Sequence, residues 1–314
     1  MSKATKIRVA HRLQSGLVVG VSLLLRILPE PVAQALGYSL GWVAGSVLRI
    51  RRGTVHRNLR RAFPDRPEAW RRRVARRVFP HIGREGVTLL RMAGLPSQEL
   101  LRRTRVDGWE VLEEARAEGR GVLLATGHLG NWEIGGGALA VRGVPLDAVV
   151  RRQKNPLVDR RLRRTREALG ISVIYREDAP RQILKSVRRG RVVALAADQN
   201  VRKGGIFVDF FGVPASTARG PAYFSLRTGA PLVLAFCHRI PGWRARYLVR
   251  FHRPPTPQTG DMEEDIRTLT RSYLAVLEEE VRRSPEQYFW PHKRWKTRPP
   301  GLDGGEEPDG DPPV

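Results

Sequence analysis

From residue 121 onward short apolar runs alternate with helix-like stretches, and this alternation narrows the possible folds more than any other feature of the chain. Gly121 to Thr126, Leu146 to Val150, Ile171 to Tyr175, Arg191 to Ala197, Pro231 to Cys237 and Tyr247 to Phe251 read as strands. Several are apolar enough to be buried on both faces. Between them Trp132 to Arg142, Leu157 to Leu169, Ala179 to Arg189 and Arg219 to Thr228 read as helices, and a long amphipathic stretch, Met262 to Arg283, follows. This order predicts an α/β domain. With 314 residues the chain has material for a substantial core, so a disulfide framework is unnecessary. The single cysteine, Cys237, also excludes a zinc site built on several thiolates.

The N-terminal part has a different character. Lys3, Lys6, Arg8 and Arg12 precede an apolar run from Leu13 to Leu28, and a second apolar stretch, Val32 to Ile50, starts straight after Pro29-Glu30-Pro31. The first run resembles a signal peptide, with Ala33-Gln34-Ala35 mimicking a cleavage site. Arg49, Arg51, Arg52, Arg57, Arg60 and Arg61 beyond it are dense enough to hold the segment on the cytoplasmic side. Neither stretch has the roughly 20 uninterrupted apolar residues of a span. A helical hairpin or interfacial anchor is expected, with a single tilted span or two buried helices as alternatives. Gly37-Tyr38-Ser39-Leu40-Gly41 fits the G-x-S-x-G elbow of serine hydrolases, but it lies inside one helix-like stretch without the strand the elbow requires. Gly37, Gly41 and Gly45 recur at every fourth residue, the spacing of a helix-packing stripe. Residues 54 to 118 read as helices, including Arg-rich Glu68 to Val78 and one that Ser97 would cap. Pro299 to Val314 contains five acids and no base and reads as a disordered tail.

One segment combines several chemically useful groups: a buried strand ends in Thr126-Gly127-His128-Leu129-Gly130-Asn131-Trp132-Glu133 and a helix begins at once. Polar side chains at such a strand end face a crevice. Asn131 is placed to cap the helix, and Glu133 falls in its first turn. With His128 held in the preceding loop, Glu133 can bond Nδ1–H and leave Nε2 as a base. A capping arrangement with an incidental histidine explains the local pattern equally well. None of the other six histidines has this setting, and no second ligand at a metal spacing lies near His128, so neither a metal nor a cofactor is called for.

The Gly-His-Leu-Gly-Asn-Trp-Glu run at 127 to 133 resembles the His-x4-Glu motif of the bacterial lipid A biosynthesis acyltransferases. The similarity extends to Asn58-Leu59-Arg60-Arg61-Ala62-Phe63-Pro64, to Arg151 with Asn155-Pro156, to Ala197-Asp198-Gln199, and to Phe207-Val208-Asp209-Phe210-Phe211-Gly212. The C-terminal blocks Pro285 to Trp290, His292 and Arg294 to Pro299 complete it, so the resemblance covers roughly residues 15 to 300. It implies a mixed central sheet flanked by helices, like the glycerol-phosphate acyltransferases, behind N-terminal hydrophobic membrane-anchoring helices. The implied division is an anchoring segment at 1–50, an acyltransferase domain at 51–298 and the acidic tail at 299–314. It further implies an acyl carrier protein thioester as donor, a hydroxyl of a lipid A precursor as acceptor, and a place on the cytoplasmic side of the inner membrane. His128 and Glu133 would be the catalytic pair. Arg151 and Asp198 carry over as substrate-site residues, with Asn131 beside them and Arg152, where the family often has Pro, as a competitor of Arg151.

Residue chemistry agrees with such a reaction. A hydroxyl is a poor nucleophile that a positioned imidazole can activate, and direct attack on a thioester needs no enzyme nucleophile. Arg151 or N–H groups near Trp132 are candidate oxyanion donors. Asp198 is expected to orient Arg151 or the acceptor, or to form a structural salt bridge. Phe210-Phe211 reads as core or tunnel wall. Lys plus Arg is 56 against 31 for Asp plus Glu, a net charge of +25, which favours an anionic glycolipid, an anionic bilayer and an acidic carrier protein. Two competing readings are a serine esterase using Ser39 and a nucleic-acid-binding protein. The latter lacks any recognisable nucleic-acid signature, and no nucleic acid is expected as partner. An acceptor of another kind, such as a phosphatidylinositol mannoside, stays open.

Overall fold

The computed structural model describes residues 3–92 and 95–301; the acidic-tail expectation falls largely outside them. Helices α1 (Lys3–Ile27), α2 (Glu30–Trp42), α3 (Arg52–Ala62), α4 (Glu68–Met92) and α5 (Ser97–Arg103) lead into β1 (Thr104–Asp107) and α6 (Trp109–Ala117). Then come β2 (Val122–Thr126), α7 (Trp132–Ala140), β3 (Leu146–Val150), α8 (Pro156–Ala168), β4 (Ser172–Tyr175), α9 (Ala179–Val187) and β5 (Val192–Ala196). The hairpin β6 (Ile206–Phe210) and β7 (Val213–Thr217), α10 (Gly220–Thr228), β8 (Leu232–Arg239), β9 (Tyr247–His252) and α11 (Met262–Arg283) complete the chain.

Seven strands form one sheet in the order β1-β9-β8-β2-β5-β3-β4, with β8 and β9 antiparallel and every other neighbouring pair parallel. It is the mixed, helix-flanked sheet that was expected. Alternation along each strand builds a separate core on either face. Leu123, Ala125, Val193, Leu195 and Leu234 pack with Ile266, Leu269 and Leu277 of α11, whereas Val122, Leu124, Val192 and Val233 pack with Leu112 of α6 and Ile134 and Ala138 of α7. Each fully buried leucine contributes roughly 2 kcal/mol through apolar burial.

Three features differ from the sequence reading. Strand β1 is a four-residue edge strand, Thr-Arg-Val-Asp, too short and polar to carry a pattern. The helix expected to end at Val78 continues through Pro80 to Met92. Ser97 opens α5 as its first residue and makes no capping bond; Pro96 occupies the cap position.

The glycine stripe of α2 is a packing surface, as its spacing indicated. A Cβ on Gly37 would meet Gly83 O at 2.7 Å, and Gly41 lies against Phe79 and Pro80 of α4. Ser39 is exposed between them. Phe211 and Gly212 are a two-residue hairpin turn, both with positive φ (54° and 69°), between paired Phe210 and Val213. The cost of that conformation at a phenylalanine, about 1 kcal/mol, is offset by burial against Phe63 and Trp290 and by a 2.6 Å bond from Phe211 N–H to Glu278 Oε1. Phe210 and Phe211 are therefore core. Asn58 donates to the carbonyls of Trp290 and His292 at 2.8 and 2.7 Å, clasping α3 to the C-terminal segment.

Candidate active site

The β2–α7 loop is held from several sides. His128 O accepts from Phe289 N–H, Gly130 N–H donates to Gln287 O and Asn131 N–H to Cys237 O, each at 3.0 Å. Gly130 sits at φ 58° against the Cys237 carbonyl, where a side chain would clash. Asn131 caps α7 by accepting from Ile134 N–H at 3.0 Å, and its amide donates to Glu85 Oε2 at 2.7 Å.

Strand β5 lies parallel beside β2, so its C-terminal extension delivers Asp198 to the same sheet edge as His128. The buried Asp198 carboxylate accepts the His128 backbone N–H at 2.8 Å and faces His128 Nδ1 at 2.6 Å. Burial alone would raise the Asp198 pKa, but the imidazole and these two hydrogen bonds outweigh it and keep the carboxyl ionised. Burial likewise pushes His128 down, and the Asp198 charge, with a smaller contribution from Glu133, carries it above its ordinary value. The bracing residue is thus Asp198, where the sequence reading had Glu133.

Glu133 is instead gripped by Arg166 of α8, which donates Nε–H to Oε2 at 2.9 Å and Nη2–H to Oε1. Both His128 and Glu133 line one small cleft of about 130 Å³, with Asn131, Trp132 and Phe289 on one side and His81, Ile82, Glu85 and Leu89 of α4 on the other. Trp132 meets the His128 ring edge-on at 4.6 Å between centroids. Arg151 is exposed and does not line this cleft, and the expected Asp198–Arg151 pairing is absent. Arg152 stacks on Tyr175 at 3.8 Å. Asn155 caps α8 and donates to His11 O and Gln14 Oε1 of α1, so its block fastens the first helix to the body.

Arg166, Glu85 and His81 were not singled out from the sequence. Arg166 is one of five arginines in the α8 run, and only strand order reveals which of them faces Glu133. Glu85 receives hydrogen bonds from Asn131, Tyr247 (2.7 Å) and Arg239 (2.9 Å), tying α4, α7, β8 and β9 together. Burial keeps His81 neutral, at about 4, despite Glu85 nearby. Cys237 is buried and its thiol pKa is pushed far up by burial, so it is no nucleophile.

An imidazole hydrogen-bonded by a buried carboxylate on a largely apolar cleft at the C-terminal end of β2 is an arrangement suited to acid–base chemistry. The family model described as bacterial lipid A biosynthesis acyltransferase matches residues 1–297. The lipid A biosynthesis lauroyltransferase of Escherichia coli (strain K12) is 32% identical over 287 residues, 90% of this chain and 92% of the relative. The lipid A biosynthesis palmitoleoyltransferase of the same organism is 28% identical over 285 residues, 90% and 91% of the two chains. A phosphatidylinositol mannoside acyltransferase of Mycobacterium tuberculosis is 35% identical over 136 residues, 42% of this chain and 43% of the relative. The chain belongs to the bacterial lipid A biosynthesis acyltransferase family and is an acyltransferase.

Proposed function

We propose that the chain moves a fatty acyl group from an acyl carrier protein thioester to a hydroxyl of a lipid A precursor, with His128 as general base. The observation that carries this reading is the His128–Asp198 pair opening on the cleft in a chain that the family matches almost end to end. Asp198 takes up Nδ1–H, so Nε2 is the nitrogen left to accept the hydroxyl proton. The alkoxide oxygen attacks the thioester carbonyl, the tetrahedral intermediate collapses, and the thiolate leaves with the proton returned by His128. The N–H groups of Trp132 and Glu133, free of intrahelical carbonyls in the first turn of α7, are placed to stabilise the oxyanion. Glu133, clamped by Arg166, adds negative charge near the imidazolium that forms.

The membrane surface is the proposed workplace, on the cytoplasmic side of the inner membrane. Among the described residues no helix is long and apolar enough to cross a bilayer, which disfavours the tilted span. Helix α1 nevertheless exposes Leu13, Leu17, Val21, Leu24 and Ile27, and α2 exposes Val32, Leu36, Leu40 and Trp42. Such a face suits an interfacial anchor, held to the body by Asn155 and by Ser22 Oγ–H on Leu90 O at 2.6 Å.

Purified full-length protein incubated with a panel of acyl carrier protein thioesters and lipid A precursors, read by mass shift, tests the reaction. Transfer to the precursor, lost in His128→Ala, is expected. Transfer only to a phosphatidylinositol mannoside would replace the acceptor, and full activity of His128→Ala would remove the mechanism.

A further inference from the structure

At the turn between α1 and α2 positive charge is concentrated beyond what the local acids neutralise. One concavity of about 610 Å³ runs under Pro29 and Pro31 and is lined by Glu30, Glu99, Arg102, Arg103, Arg244 and Arg246. A second, of about 260 Å³, adjoins it through Arg102, Arg103 and Arg246, adds Arg105, and contains no acid. Both carboxylates are already engaged: Glu30 by Arg103 and Ala245 N–H, each at 2.6 Å, and Glu99 by Arg102 and Arg103, each at 2.6 Å. Arg103 is thereby fixed as a floor, and the Ala245 bond ties the β8–β9 loop to the start of α2. The guanidiniums of Arg105, Arg244 and Arg246 have no ion-pair or hydrogen-bond partner among the described residues.

The surroundings point to a lipid. Ile27 (83% exposed) and Val32 (52%) flank the turn, and Trp243, 53% exposed in the β8–β9 loop, meets Tyr38 of α2 edge-on. Exposed aliphatics and a Trp–Tyr pair beside a cluster of arginines are the residue types that meet hydrocarbon, interface and headgroup at a bilayer surface. Guanidiniums match phosphate oxygens through paired N–H donors.

We infer that Arg105, Arg244 and Arg246, over the Arg103 floor, form a binding site for the phosphate of an anionic lipid headgroup, apart from the catalytic cleft. The site rests on the reading of the α1–α2 face as bilayer-contacting and orients that face on the membrane.

The test is co-sedimentation of the full chain with phosphatidylcholine vesicles and with vesicles of equal parts phosphatidylcholine and phosphatidylglycerol, comparing wild type with R105Q/R244Q/R246Q. A basic residue at an anionic surface multiplies partitioning by ~5-fold, so the triple variant should lose on the order of 100-fold on anionic vesicles. Its binding to neutral vesicles should stay at the wild-type level. K185Q/R188Q/R189Q, with the same charge change on and just after α9, should lose far less. Equal losses in the two triple variants would reduce the site to bulk charge and overturn it. Competition by millimolar inorganic phosphate, or by duplex DNA, would assign the arginines to a soluble anion or to nucleic acid and also overturn it. Wild type that binds neither vesicle would remove the bilayer reading as well, whereas wild type that binds both with an unaffected triple variant would remove only this site.

Discussion

Among the described residues two histidine–carboxylate pairs meet at 2.6 Å or less, and only one of them lines a cleft. His128 and Asp198 meet at 2.6 Å at the sheet edge; His238 of β8 and Glu280 of α11 meet at 2.5 Å between sheet and helix. Glu280 also has His252, Arg283 and Arg250 within ion-pair distance, at 3.3, 3.4 and 3.6 Å. Burial would raise its pKa, but these partners hold it far below the usual carboxylate range. Its charge is spent on joining α11 to β8 and β9. Asp198 instead meets the His128 imidazole with Oδ1 and the His128 backbone N–H with Oδ2, and that imidazole lines a cleft. A short His–carboxylate contact is thus not in itself a catalytic signature. What matters is whether the second ring nitrogen has somewhere to work.

Substitutions can break or sharpen this contrast. The largest effect is expected for His128→Ala, with acyl transfer down by about 10² to 10⁴ and an unchanged circular dichroism spectrum. His238→Ala should leave turnover per folded molecule near wild type while destabilising the fold by about 2 kcal/mol, the value of a hydrogen bond to a charged group, as read by urea unfolding. Equal activity losses in the two variants would end the contrast.

Asp198→Asn should reduce transfer on the order of 100-fold and also move the pH profile. His128 acts as a base only when neutral, so activity rises with pH through its pKa, which Asp198 holds above the ordinary value. Removing that charge lowers the pKa and shifts the acid limb to lower pH, whereas Glu280→Gln should leave the limb in place. Glu133→Gln should cost about 10-fold, comparable to one charged hydrogen bond, with a smaller shift of the limb in the same direction. The smallest effect is expected for Cys237→Ala: transfer rates at wild-type level, with thermal unfolding showing only the loss of a small buried side chain.

Much of the fold was legible because strand burial and helix amphipathicity are local patterns. Six strands of the sheet and α7 to α11 fall where the apolar runs place them, within a few residues at their ends. The pieces missed were those without such a pattern, the polar edge strand β1 and the β6–β7 hairpin, whose turn places a phenylalanine at positive φ. At the site, His128, Asn131 and Glu133 were legible because strand, loop and cap lie together in eleven residues. The pairings were not: Asp198 was named from its own block but not as the partner of His128, 70 residues away, and Arg166, 33 residues from Glu133, was not singled out.

The sequence by itself determined the α/β order, the apolar and basic N-terminal helices, the loop that presents His128 and the family to which these blocks belong. Each follows from side chains acting on their near neighbours or from runs of residues read in order. Only the tertiary structure decided which acid braces the base, which arginine holds Glu133, and that α4 supplies the far wall of the cleft. Those choices depend on β5 pairing with β2 and on α4 crossing the sheet edge, and hydrogen bonds and charges act across a few ångströms of space whatever their separation along the chain.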